Sequence, residues 1–230
     1  MTGVLIIGTS GGIGEAVAMA FLGNPLPNHL ILHGRDPERL QSLAERVALQ
    51  CEGQVTAFSG DIVHCAEDPS TLPEIEPVDA VVWCAGICEL VPGQMLGMKT
   101  LRRTLAVNLE APLVVLSQLY RKRVIKDGGV IVLVGSQAAQ EAGEGFSVYA
   151  ASKGGLASAA RVLDKEFSRR GVRVHCIEPG TVDTPMTRRL MKQIPSYGES
   201  VAGEMRSAES VAEEVVAVVL DGLGLGGERG

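Results

Sequence analysis

Tyr149 and Lys153 stand four residues apart in "FSVYAASKGG" (146–155), among alanine, serine and glycine. Four residues is about one helical turn, so phenol and ammonium share a face, and their small neighbours leave that face approachable. A phenol near pKa 10 is a poor acid or base at neutral pH. A positive charge one turn away favours phenolate, and a bound cation would add to the effect. Taken alone, the two residues also read as an ordinary surface pair. Ser136 tips the balance. It closes "GVIVLVGS" (129–136), a run that reads as a buried strand, and ligands of open α/β sheets bind beyond the strand C-termini.

A second constellation lies near the start of the chain. "GTSGGIG" (8–14) follows an apolar β-branched run and opens a helical pattern. Gly8 suits a tight turn, while Gly12 and Gly14 allow backbone to approach a pyrophosphate and the helix to pack on the strand. The spacing reads as Gly8-x-x-x-Gly12-x-Gly14 or as Gly8-x-x-Gly11-x-x-Gly14. A lone glycine-rich turn is also an ordinary βα connection; its place between the first strand and the first helix raises it above that.

Other segments must position these groups. "GVLIIG" (3–8), "HLILHG" (29–34), "QVTAFSG" (54–60), "DAVVWCAG" (79–86), "GVIVLVGS" (129–136) and "RVHCIEPG" (173–180) read as short buried strands, nearly continuous in apolar content, as parallel strands covered on both faces are. Helical patterns fill 12–22, 37–51, 98–124, 147–170 and 208–221, the last with Ser207 as N-cap. The 61–78 connection is too rich in proline and acid to assign. Alternating strands and helices joined by right-handed crossovers give an α/β fold, a doubly wound, Rossmann-like parallel sheet in a single domain over 1–230.

Composition limits the partners. Of 230 residues, 46% are apolar, enough for a sizeable core, and the net charge of −6 argues against a nucleic-acid binder. The "RKR" at 121–123 reads as a solvated helix C-terminus. Five cysteines without a CxxC pair, and histidines without ligand spacing, argue against a disulfide framework or a metal site and for reduced, cytoplasmic thiols. "MTGVLIIG" has no basic n-region, and no apolar run reaches membrane-span length.

The glycine loop, "YAASK" and their order resemble the short-chain dehydrogenase/reductase family, its compact branch, over about residues 3–186. The resemblance implies that Ser136 holds a substrate oxygen, Tyr149 exchanges its proton, and Lys153 depresses the tyrosine pKa and binds the nicotinamide ribose. It places Asn108, in "LAVNLEAP", as support for a proton-relay water; Pro112, four residues on, lacks an N–H to meet the Asn108 carbonyl, which fits such a role or a helix kink. It implies cofactor contacts at Gly8, Ser10, Gly11, Gly12, Ile13, Gly14, Asp61, Ile62, Ala85, Gly86, Asn108, Tyr149, Lys153, Pro179, Gly180, Val182 and Thr184. Trp83-Cys84 departs from the asparagine usual before "AG" and bears on local packing. The stretch after 221 departs too, being too short and glycine-rich for the family's final strand.

Cofactor choice turns on "LILHGRD". Gly34 stands where an NAD-preferring protein commonly has an acid, and Arg35 can grip a 2′-phosphate, so NADP(H) is expected over NAD(H). Asp36 is the complication, since it takes the acid's role if the strand ends later. Residues 185–207 are expected to form a substrate lid, its methionines an adaptable wall, with Arg188, Arg189 and Lys192 solvated as the plainer reading. The expected activity is hydride transfer between NADP(H) and a small-molecule carbonyl or secondary alcohol, such as a ketone or 3-oxoacyl compound, by a homodimer or homotetramer. Arg102, Arg103 and Arg121 are candidate docking charges for a carrier protein. The rivals are a nucleotide-sensing regulator of the same fold and an extended-branch nucleotide-sugar isomerase.

Overall fold

Six β-rich segments pair in the order β3-β2-β1-β4-β5-β6, every pair parallel: β1 (Gly3–Ile7), β2 (His29–Gly34), β3 (Gln54–Ser59), β4 (Val78–Trp83), β5 (Ile125–Val134) and β6 (Arg173–Ile177). The computed structural model describes residues 2–24, 27–141, 143–201, 203 and 205–226. The sheet order reverses between β1 and β4, and that point is where a doubly wound sheet opens a crevice at its strand C-termini.

Alternate residues of each strand face two cores. Val4, Ile6, Leu30, Leu32, Val82 and Val132 pack with helices α1 (Gly12–Ala20), α2 (Pro37–Ala48) and α9 (Ala208–Gly222). Leu5, Ile7, Ile31, Val81, Trp83 and Leu133 face α3 (Ile62–Glu67), α5 (Ala111–Arg121) and α6 (Ser147–Phe167). Burial on both faces explains why these strands read as continuous apolar runs. The exception is β3, a half-exposed edge strand whose polar residues suit that position.

Local chemistry marks the helix starts. Asp36 caps α2 by accepting the Arg39 N–H (3.2 Å), with Pro37 in the first turn. Asp61 caps α3 by accepting from Val63 (2.9 Å), and so resolves the start of the unassigned 61–78 stretch. Ser207 caps α9 as expected, accepting from Ser210 (3.0 Å).

The expected helix over 98–124 is corrected to three pieces: α4 (Met98–Leu105), one π turn over Ala106–Glu110 and α5, with the Ala111 N–H reaching the Ala106 carbonyl. Pro112 directly follows the π turn in a continuous helix and has no N–H to give the Asn108 carbonyl, and the chain meets this with one widened turn. β5 begins earlier than expected, at Ile125, with a register shift against β4 between Val78 and Ala80.

The 185–207 segment folds as α7 (Pro185–Gln193) and α8 (Pro195–Val201). Its ends are clipped together by a short parallel pair, β7 (Val182–Asp183) with β8 (Arg206–Ser207). Residues 202 and 204 of that expected lid lie outside the described residues. Among the described residues no strand follows α9, and positions 227–230 of the glycine-rich tail lie outside them.

Candidate active site

The strand C-termini open onto a cleft of about 830 Å³. One end is built by the glycine loop. Gly8 has φ +96°, and a Cβ there would collide with the backbone of Ala85; a Cβ on Gly14 would collide with the Gly8 carbonyl. At these two positions the loop is pressed against the β4 end and the start of α1, with no room for a side chain. Residues 8, 10–13, 85 and 86 line the cleft, as do Asp61, Ile62, Pro179, Gly180, Val182 and Thr184. Gly14 and Asn108 stand behind the wall. This bare-backbone cradle at a helix N-terminus fits a dinucleotide pyrophosphate, the group the sequence resemblance implies.

At the cradle's outer edge, β2 ends at Gly34 and Arg35 is exposed on the cleft. A Cβ at position 34 would strike Ser10 Oγ, so a side chain there would need that hydroxyl to turn away, and Gly34 leaves the NAD-selecting acid absent. Asp36 starts the helix cap and does not extend the strand. Arg39 and His33 also line this end, and neither stood out in the sequence. His33 is buried, and burial pushes it down to about 4 against the opposing pull of the Gly60 backbone and Asp61, so it is neutral.

The middle of the cleft holds the hydroxyl, phenol and ammonium. Ser136 follows β5; its Oγ accepts from the Ala138 N–H (3.2 Å), and it lines the cleft beside Tyr149. One turn along α6, the buried Lys153 Nζ donates to the Val134 carbonyl (2.7 Å) and lies 5.9 Å from the Tyr149 ring centroid. Gly86 stands beside this ground, its Cβ position 3.4 Å from both Lys153 Nζ and Asn108 Oδ1.

Burial raises the Tyr149 phenol above its ordinary range, the Cys88 thiol adds to this, Ser136 pulls it back and Tyr197 raises it further. Burial also brings Lys153 down to about 8, opposed by Cys176, Cys84 and Cys88. Cys88 and Cys84 are themselves pushed up to about 12 by burial, and so they are neutral thiols at this wall.

Asn108, on the π turn, has a buried side chain that links the loop after β4 to α6. Its Nδ2 donates to the Ile87 carbonyl (2.8 Å) and to Ser152 Oγ (3.0 Å), and Ser152 Oγ donates to the Tyr149 carbonyl (2.7 Å). The expected role concerned its backbone; its side chain is a brace for the segment carrying Tyr149.

The far end of the cleft is apolar, with Cys88, Leu90, Phe146, Leu190, Ile194 and Tyr197. Phe146 and Tyr197 have ring centroids 5.5 Å apart. The expected methionine wall reduces to Met186; branched and aromatic residues of α7 and α8 do that work, because they occupy the inward face of the two helices. Arg188 is exposed as the plainer reading had it, while pairing with Asp183 (2.6 and 2.8 Å), and the exposed Arg189 reaches the Cys88 carbonyl (3.5 Å).

Residues 2–195 match the family model described as short chain dehydrogenase. The chain belongs to the short-chain dehydrogenase/reductase family. As a short-chain dehydrogenase/reductase it is an NAD(P)-dependent oxidoreductase. It is similar to the 3-oxoacyl-[acyl-carrier-protein] reductase of Homo sapiens, at 32% identity over 85% of this chain and 85% of that protein. It is also similar to the D-threitol dehydrogenase of Mycolicibacterium smegmatis, at 28% identity over 96% and 89%. Among solved structures of short-chain dehydrogenases, one from Beutenbergia cavernae, assigned as an NAD(P)-dependent gluconate 5-dehydrogenase and holding NADP at low occupancy, aligns with a TM-score of 0.78 at 26% identity. That alignment covers 95% of this chain and 89% of that one.

Proposed function

We propose that this oxidoreductase reduces the carbonyl of a ketone or 3-oxoacyl compound with NADPH. The observation that carries the reading is that Ser136, Tyr149 and Lys153 line the same stretch of the cleft, with Lys153 one helical turn behind Tyr149 and the glycine cradle beside them. When bound in the cradle, the nicotinamide cofactor supplies the hydride. Ser136 holds the carbonyl oxygen and Tyr149 gives it a proton. A phenol kept above its ordinary pKa retains that proton at neutral pH, which suits the reductive direction. Two donors aimed at one oxygen stabilise the charge that develops there. Lys153 holds the cofactor ribose and returns a proton towards Tyr149, and Asn108 fixes the α6 segment on which both stand.

The lean towards NADP(H) rests on the absence of an acid at Gly34 and on the exposed Arg35. The apolar far end supports a substrate with hydrocarbon beside its carbonyl. Exposed Met95, Met98 and Val114 support a homodimer or homotetramer, and the free cysteines agree with a cytoplasmic setting. Among the described residues no helix is long and apolar enough to cross a membrane. Arg103 pairs with Glu89 (2.8 Å), which weakens its candidacy as a carrier-docking charge. Neither the regulator nor the nucleotide-sugar isomerase is favoured by the family match. The deciding experiment is a panel of ketones, aldehydes and 3-oxoacyl thioesters followed by loss of NADPH absorbance. Tight NADPH binding with no turnover across the panel would favour the regulator instead.

A further inference from the structure

At the outer edge of the cofactor cradle two arginines open onto the same cleft, and only one of them was expected to matter. Arg35 follows β2 and has no ion-pair partner among the described residues. Arg39 lies four residues on, in the first turn of α2, and lines both the main cleft and an adjoining recess shared with Ser10 and Gly11. Its Nε stands 3.4 Å from Asp36 Oδ2, in a solvent-exposed pair. Asp36 is tied in place by its own cap, accepting the Arg39 backbone N–H (3.2 Å), and its N–H faces Ser10 Oγ (3.4 Å). The surrounding charges nearly balance: Glu15 pairs with Arg46 (2.5 Å), and Glu38 also lines the recess.

We propose that Arg39 is a second specificity-determining residue, which leaves Asp36 to grip the 2′-phosphate of NADP(H) together with Arg35, and that Asp36 limits the preference by competing for Arg39. The inference rests on the NADP(H) reading above. The exposed Arg39–Asp36 pair is cheap to break, because exposed ion pairs contribute little. A phosphate carrying nearly two negative charges is a stronger partner for a planar guanidinium fork. The Asp36 carboxylate, by contrast, stays beside the phosphate after Arg39 has turned away, and its charge opposes binding.

The two substitutions that test this differ in sign. Asp36→Asn removes the charge and keeps the helix cap, since asparagine caps as well as aspartate. Binding of NADPH and NADH to the whole chain can be read without any substrate, from energy transfer out of Trp83, the sole tryptophan, which ends β4 two residues before Ala85. Arg39→Gln is expected to weaken NADPH about tenfold, the size of one charge-assisted contact, and to leave NADH within about twofold. Asp36→Asn is expected to tighten NADPH several-fold with unchanged thermal stability. If wild type binds both coenzymes equally, the NADP(H) reading fails and the inference with it. If wild type prefers NADPH and Arg35→Ala abolishes the preference while Arg39→Gln does not alter it, the reading stands and the inference is wrong. Equal weakening of both coenzymes by Arg39→Gln would also overturn it, by showing a structural role at the α2 start.

Discussion

The side chain of Asn108 pairs with the backbone of Ile87 in both directions, Oδ1 accepting the Ile87 N–H and Nδ2 donating to the Ile87 carbonyl, each at 2.8 Å. An amide that matches a peptide group in this way acts as a one-residue strand partner. It fixes the loop after β4 against α6, and with it the distance between the cofactor cradle and Tyr149. Replacing it with leucine, of similar size, leaves both Ile87 groups and Ser152 without this partner. The expected cost is about 2–4 kcal/mol, with a larger fall in turnover than in cofactor affinity. Denaturant unfolding and coenzyme titration on Asn108→Leu check both halves.

Tyr149→Phe keeps the ring and removes only the proton donor. Turnover should drop by about 10²–10⁴ while coenzyme binding is nearly unchanged. Lys153→Met should damage both, because that side chain serves the proton and the ribose. Near-normal turnover by the phenylalanine variant would reject the assignment.

The buried Lys153 makes stability depend on pH in a stated direction. Its folded pKa of about 8 lies below the ordinary lysine value, so between about pH 8 and 10.5 the unfolded chain binds a proton that the folded chain does not. Stability from this group therefore rises with pH across that window, and is lowest below pH 8, where the buried ammonium is charged. Wild type should gain about 1–3 kcal/mol relative to Lys153→Met on going from pH 7.5 to 10. Parallel unfolding curves of the two proteins over that range would show a constant difference if the lysine titrates normally.

Coenzyme preference should resist the obvious exchange at position 34. Gly34→Asp alone introduces a Cβ that strikes Ser10 Oγ, and is expected to weaken both coenzymes. Adding Ser10→Ala removes the obstructing hydroxyl, leaving the Ser10 Cβ at an ordinary 3.4 Å. The double variant should then favour NADH, by about tenfold over its NADPH use. Comparing kcat/KM for both coenzymes across the three proteins tests the order of events.

Activity should survive exhaustive chelation, because the substrate oxygen is met by the Ser136 and Tyr149 donors rather than by a Lewis acid. Among the described residues no group of three histidine, cysteine or acidic side chains is placed to hold an ion. Activity that returns only on adding zinc or magnesium would contradict this.

Much of the molecule was legible in the sequence alone. Parallel strands buried on both faces must be apolar along their length, which marked the inner strands; all six were read from the sequence, the edge strand β3 at 54–60 included, and β2 matched its expected span of 29–34. The cap at Ser207 was readable too, since a cap answers to its nearest neighbours. The order Gly8–Gly14, Ser136, Tyr149, Lys153 carried the family. What the sequence could not decide depends on groups far apart in the chain. Pro112 signalled a disturbed helix, but whether it kinks or widens depends on what α6 and the loop at Ile87 offer Asn108. One-turn spacing placed an ammonium near a phenol, yet its direction is set by the Val134 carbonyl, nineteen residues away. Arg39 looked like any charge on a solvated helix, and only the closure of α2 onto the glycine loop brought it to the cofactor cleft. Local spacing determines which residues share a face; the packing of one element on another decides what that face meets, how deeply it is buried and therefore which protons it holds.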